Sequence, residues 1–327
     1  MSEIPRRRVL TALALGLTTA AGCGTGTYRG PQRTLRIATG QRGEVNLAFV
    51  ELLATEIRHE EPRLRVTAIP SEGSLENLQY LRAGQADLAL VLADVAQAAT
   101  TSDGPLAPVP MRAIGRIYEN YLHLVVLAAS PVHTLADLAG RTVSSGSYGS
   151  AARLNGYRIL IAAGLAPAAP PAAPSAAVHV QHHRLPDAIT ALEAGRVDAL
   201  LWAGGLPTPV LAELSARRGI RLLSLASALP ALQSAYGPVY QLDTVPANVY
   251  GFAPELPTIG IANLLVCRPD AAPAVTAAVA RVLVTRAARL VPEQALGTQF
   301  LDPRSLIATA GIPLHPGAIT AYRSLHG

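Results

Sequence analysis

The segment LRAGQADLALVL (residues 81–92) returns in near copy as LEAGRVDALLWA (residues 192–203), 111 positions later. In each copy an apolar residue three before the first Leu (Leu78, Ile189) and a Gly three after it (Gly84, Gly195) describe a short helix closed by a C-terminal glycine. An Asp follows, Asp87 or Asp198, and opens an apolar run too short for an ordinary helix. Such a run is the pattern of a strand buried on both faces of a parallel sheet. A helix–turn–strand unit used twice confines the chain to an α/β architecture made of two like parts. Chains rich in Ala and Leu also produce chance look-alikes, so the repeat needs a second feature in register. RIAT is followed by Gly40, Gln41, Arg42, Gly43 and a helical pattern, and RTVSS by Gly146, Ser147, Tyr148, Gly149 and a helical pattern. That pair of matched turns supplies it.

The rest of the chain fits this frame. TLRIAT, LRVTAI and ADLALVL read as strands alternating with helices, so the first half is expected to be an open parallel sheet. From Leu122 the run LHLVVLAAS opens a second cycle. The turn TLADLAG, strand RTVSS, a helix over about residues 151–163, strand VHVQ, helix LPDAITALEAG and strand VDALLWA complete it. The stretch GLAPAAPPAAPSAA lacks periodicity and reads as an exposed loop. PTIGIANLLVCR adds one more strand, followed by helices.

The N-terminus has a separate character. PRRRVL and then TALALGLTTAAGC give a basic region, a short apolar core and small residues ending at Cys23, the layout of an export signal over residues 1–22. Ala20, Ala21, Gly22 and Cys23 resemble a bacterial lipobox with Ala in place of its usual Leu, so Cys23 is the expected lipidation site and residues 23–32 a tether. Arg6 and Arg7 followed by Arg8, Val9 and Leu10 also resemble a twin-arginine signal. No later run reaches the roughly 18 apolar residues of a membrane span. The expectation is an extracytoplasmic body, lipid-anchored to the cell membrane.

All 27 basic residues are Arg, and half of the chain is apolar. The net charge of +5 owes +2 to residues 1–22, and the remainder forms no basic stripe. Nucleic-acid binding is therefore not expected. Cys267, within IANLLVCR, has no partner once Cys23 is lipidated and reads as a small core residue.

Ligands in an open α/β sheet sit beyond the carboxyl ends of the strands, where helix N-termini present unpaired N–H groups. TGQRGE, EGSLEN and SSGSYGS occupy such places, two in the first half and one in the second. Together they suit a small anionic or zwitterionic molecule held between two lobes. The candidate binding residues are Thr39, Gly40, Gln41, Arg42, Gly43, Glu44, Ser74, Asp94, Ser145, Ser147, Tyr148, Ser150, Gly204 and Gly205. Ser74 reads equally as a helix cap, Glu44 as a first-turn charge and Asp94 as a cap of the next helix. Asp87 and Asp198 read as shaping the start of their strands. There is no Gly-x-Ser-x-Gly elbow, no His-Glu-x-x-His and no paired metal-ligand spacing. His182 and His183 read as surface residues, and His315 lacks an evident acid or nucleophile. Neither catalysis, a metal nor a cofactor is expected.

In order along the chain, RIATGQRG, EGSLENLQYLRAGQADLALVLADVA, LHLVVLAASPVHTLADLAGRTVSSGSYGS, DAITALEAGRVDALLWAGGLPTPVL, IRLLSL, LPTIGIANLLVCR and HPGAITAYR resemble the TAXI family of solute-binding proteins, which serve TRAP transporters. The resemblance implies a type II periplasmic-binding-protein fold, two α/β lobes with crossing strands and a ligand cleft between them. Carried over, lobe 1 is residues 33–123 with 259–327, and lobe 2 is residues 124–258. It implies a monomer that delivers an acidic amino acid or other small carboxylate to a sodium-coupled TRAP permease. The family's first turn is commonly Thr-Gly-Ser-x-Gly-Gly with an aromatic soon after. Here Thr39 and Gly40 match, while Gln41, Arg42, Glu44 and Asn46 replace small and aromatic residues. A ligand-sensing lipoprotein with a signalling partner is the alternative reading, and an extracytoplasmic enzyme a more distant one.

Overall fold

The computed structural model describes residues 27–42, 44–101, 107–167, 177–251, 254–292 and 301–326. The export signal, Cys23 and Gly43 lie outside the described residues. The first part runs β1 (Arg33–Ala38), α1 (Val45–Glu60), β2 (Leu64–Ile69), α2 (Ser74–Arg82), β3 (Leu88–Leu92) and α3 (Ala93–Ala98), then the long β4 (Arg112–Leu127). The second runs β5 (Thr142–Ser145), α4 (Ala151–Ala162), β6 (His179–Gln181), α5 (Leu185–Glu193), β7 (Ala199–Gly204), α6 (Pro209–Arg218), β8 (Ile220–Leu223), α7 (Leu229–Tyr236) and β9 (Tyr240–Val245). The chain closes with β10 (Leu256–Cys267), α8 (Pro273–Thr285), α9 (Pro303–Leu306) and α10 (Pro316–His326).

The strands join in the order β2-β1-β3-β10-β4-β7-β5-β6, with β8 beside β4 and β9 beside β10. Pairings of β1 with β2 and β3, and of β5 with β6 and β7, are parallel. β10 is antiparallel to β3 and β4, and β4 is antiparallel to β7. The first half is thus not the wholly parallel sheet its alternation implied. The antiparallel strand β10 arrives from the far end of the chain, and sequence order gives no notice of it. β4 and β10 each pair with strands of both parts, so they are the two crossing strands.

The repeated unit folds as one motif twice. Gly84 and Gly195 both close their helices in the left-handed region, at φ +68° and +67°, where a Cβ would clash with the following carbonyl. Asp87 accepts the N–H of Arg36 at 2.9 Å and pairs with its guanidinium at 3.2 Å. Asp198 accepts the N–H of Thr142 at 2.9 Å and pairs with Arg141 at 3.3 Å. Each Asp therefore clips the start of its own strand to the parallel neighbour, β1 or β5.

Apolar side chains at every fourth position of α1, Val45, Phe49, Leu53 and Ile57, are buried. They pack with α8 and α10 on one face of the first lobe, at about 1.5–3 kcal/mol for each large side chain removed from water. The other face shares a single apolar cluster with the second lobe, running from Leu78 and Val95 to Val143, Ile159 and Leu160. Cys267 is a buried free thiol in β10, and burial pushes it up to about 12, so it behaves as a core residue. No helix among the described residues is long and apolar enough to cross a membrane.

Candidate functional site

The strand-to-helix turns of the two lobes meet. After β2, Glu72 accepts the N–H of Gly149 at 3.1 Å, and the carbonyl of Gly149 accepts the N–H of Glu76 at 3.1 Å. Gly73, at φ +129°, lies so close that a Cβ there would come within 3.3 Å of Ser150 Cα. Likewise a Cβ on Gly205 would lie 2.7 Å from Val45 Cγ2 at the start of α1. The turn after β2 thus meets the GSYG turn of the other lobe, and the start of α1 meets the β7–α6 turn. Behind the second turn, His182 and His183 are not free surface residues. The Nδ1 of His182 lies 3.1 Å from the carbonyls of Ser145 and Gly146, and that of His183 lies 3.1 Å from Ser144 Oγ.

A polar floor lies where β4 and β10 cross. Asn263 Nδ2 donates to Asn46 Oδ1 at 3.0 Å and Asn120 Oδ1 at 3.2 Å, and lies 3.3 Å from the Tyr118 hydroxyl. Tyr118 also donates to Asn46 Oδ1. Burial carries the Tyr118 phenol well above its ordinary range, so it stays a neutral donor. Beside this floor, Glu44 faces a small cavity lined by Val45, Asn46, Trp202, Gly204, Gly205, Thr208 and Pro209. Burial pushes the Glu44 carboxyl up to about 8, opposed by the backbone N–H of Gln41 and the charge of Arg184. Four buried polar atoms around these turns and this floor have no hydrogen-bond partner among the described residues: Gln41 Nε2, Ser147 Oγ, Asn155 Nδ2 and Asn263 Oδ1. A buried polar atom left unpaired costs about 1–3 kcal/mol, so each invites a partner from outside the chain.

The sequence-derived residues divide by what they touch. Thr39 Oγ1 donates to carbonyls of its own sheet, Ser74 Oγ accepts the N–H of Leu92, and Ser145 Oγ donates to the carbonyl of Ala152. Ser150 Oγ donates to the carbonyl of Ser147. These hydroxyls hold the turns in shape. Gly40, Glu44, Gly204 and Gly205 come together beside the start of α1, Gln41 and Ser147 are buried in their own turns, Arg42 is exposed, and Tyr148 is 65% exposed with its ring tilted against His182 at 4.7 Å. Asp94 is fully buried and accepts the Tyr240 hydroxyl at 2.8 Å, with Arg158 of α4 at 3.8 Å. Burial raises its carboxyl and Arg158 opposes the rise. His315 caps the C-terminal helix, touching Thr276 Oγ1 and the N–H of Gly317. Sequence reasoning passed over Tyr118, Asn120, Asn263, Thr208 and Arg158. A polar residue inside an otherwise apolar strand, as in GIANLLVC, was the available signal for Asn263.

Known proteins place this geometry. The NMT1-like family matches residues 37–324. The chain belongs to the NMT1-like family. Among solved structures, XAC2383 from Xanthomonas citri bound to ATP is similar to this NMT1-like chain at TM-score 0.50, with 14% identity over 90% of this chain and 98% of that one. The same protein bound to chloride ion gives 0.50, at 13% identity over 90% and 99%. The alkanesulfonate-binding protein SsuA from Xanthomonas axonopodis pv. citri bound to MOPS is 18% identical over 91% and 84%, at TM-score 0.49. The NMT1-like chain has the two-lobe α/β fold of periplasmic solute-binding proteins.

Proposed function

We propose that the protein is an extracytoplasmic solute-binding lipoprotein of the TAXI class. In this reading it captures a small anionic or zwitterionic solute, a carboxylate or an amino acid, and delivers it to a TRAP permease. Lobe 1 is residues 33–123 with 259–327, lobe 2 is residues 124–258, and Cys23 carries the lipid. The observation that carries the reading is the set of unpartnered buried atoms on turns of opposite lobes, Gln41 Nε2 and Ser147 Oγ above all. A solute that satisfies both can do so only when the lobes are closed, so it favours closure by its differential affinity. The TRAP assignment rests on the TAXI-like motifs from RIATGQRG to HPGAITAYR.

A thermal-shift screen with dicarboxylates, amino acids and sugars tests the reading. A true ligand at about 100 times its Kd adds roughly 2.7 kcal/mol of stability, visible as a rise in Tm. A flat response across the panel counts against solute binding. Co-purification of the detergent-solubilised protein with a TRAP permease, lost when ligand is removed, tests delivery.

A further inference from the structure

We propose that Glu44 is a specificity-determining residue that selects a solute carrying a protonated amine, in place of the second carboxylate a dicarboxylate would bring. This deepens the solute-binding reading and rests on it. The carboxyl of Glu44 folds back over the first turn and lies against Gly40. Only a glycine at position 40 permits this, because a Cβ there would collide with Glu44 Oε2 and lie 3.0 Å from Asn46 Nδ2. The chain's own carboxyl therefore occupies the place before α1 that a helix N-terminus ordinarily offers to an anionic ligand.

On the side of the polar floor, a buried group without a hydrogen-bond partner among the described residues is also an acceptor. Asn263 Nδ2 is committed to Asn46, Asn120 and Tyr118, which fixes the amide and leaves its Oδ1 unpaired and buried. Asn46 touches both Asn263 and the space beside Gly40 that Glu44 fills, so two acceptors flank one asparagine. The groups facing Glu44 are Arg184 at the start of α5, which attracts it, and the neutral Tyr118 of β4. From the β7–α6 turn come Trp202 and Thr208, bonded to each other at 3.3 Å. Arg42, in the same turn, is exposed. A carboxylate brought here meets a carboxyl and an unpaired carbonyl oxygen, whereas an ammonium satisfies both. The unpaired donors at Gln41, Ser147 and Asn155 are left for the acid end of a zwitterion.

Proton balance gives the test its sign. With its folded value near 8, Glu44 is mostly protonated at neutral pH in the empty protein. An arriving ammonium keeps its own protons and drives one from Glu44 into solvent, so affinity rises as pH climbs toward that value. A dicarboxylate would instead need Glu44 to keep its proton, and its affinity would fall over the same range. Isothermal titration of the full chain with L-glutamine, L-arginine and putrescine as amine probes, and succinate and glutarate as dicarboxylates, in buffers of different ionisation enthalpy, reads this directly. We expect an amine probe to bind with proton release, and Glu44→Gln, isosteric with the protonated acid, to abolish the release and weaken binding roughly tenfold or more. Succinate or glutarate binding best, with affinity falling as pH rises, overturns the proposal while leaving solute binding intact. Equal affinity of Glu44→Gln and wild type for the amine probe also overturns it. Binding of no probe in either class tells against both readings.

Discussion

Replacing Arg158 with Met should loosen the seam between the lobes, and the structure sets the size of the effect. Asp94 on α3 is fully buried, and its charged partner is the Arg158 guanidinium at 3.8 Å, itself only 13% exposed. At an effective dielectric constant of about 20, an attraction over that distance is roughly 4 kcal/mol. Arg158 also donates to the Tyr240 hydroxyl at 3.1 Å and lies 4.0 Å from the centre of the Tyr236 ring. Allowing for what desolvation already costs the pair, its loss should destabilise the protein by about 3–5 kcal/mol at neutral pH, because Asp94 is left buried without a countercharge. The sign with pH follows from the direction of the shift. Asp94 already sits above its ordinary value through burial, and removal of Arg158 pushes it further. The folded state then binds a proton more readily than the unfolded one. Stability of the variant should be fully present below the unfolded value near 3.8 and be lost as pH rises through the raised folded value. Urea denaturation of Arg158→Met, Asp94→Asn and the double variant, at acid and neutral pH, measures this. Asp94→Asn should rescue Arg158→Met at neutral pH. If the double variant loses what the singles lose together, within about 0.5 kcal/mol, the two side chains are not coupled and the reasoning fails.

Two further expectations concern separate links of the argument. Ser147→Ala and Tyr148→Ala should each weaken ligand binding while leaving stability within about 0.5 kcal/mol for the exposed Tyr148; unchanged calorimetric affinity in both would remove these residues from the site. Gly195→Ala should cost about 1–2 kcal/mol, since a Cβ there meets nothing within 4 Å yet the backbone stands at φ +67°, so the penalty is conformational and not steric crowding; an unchanged urea midpoint would refute it.

What could be read from the sequence was what is local. The helix, its closing glycine and the strand-starting aspartate lie within a dozen residues of one another, so the repeat announced them, and Asp87 and Asp198 bond as that reading required. The strand read from Leu122 in fact begins at Arg112. RAIGRIYENY hides it because Arg116, Glu119 and Asn120 break the apolar run. Those side chains are buried at the crossing, where Arg116 pairs with Glu119 at 2.8 Å and burial pushes Glu119 up to about 7. The partner of Asp94 could not be read either, since Arg158 comes to it from α4, in the other lobe. Glu44 was visible as a departure from the family's turn, but the β7–α6 residues that share its cavity lie about 160 positions further along the chain.

The shared strands carry a consequence for how such a molecule is made. Val91 of β3 finds its antiparallel neighbour in Leu264 of β10, near the far end of the chain. The lobe that leaves the ribosome first is therefore completed last, because one edge of its central strands waits for a segment not yet synthesised. No single cut of the polypeptide yields an intact half.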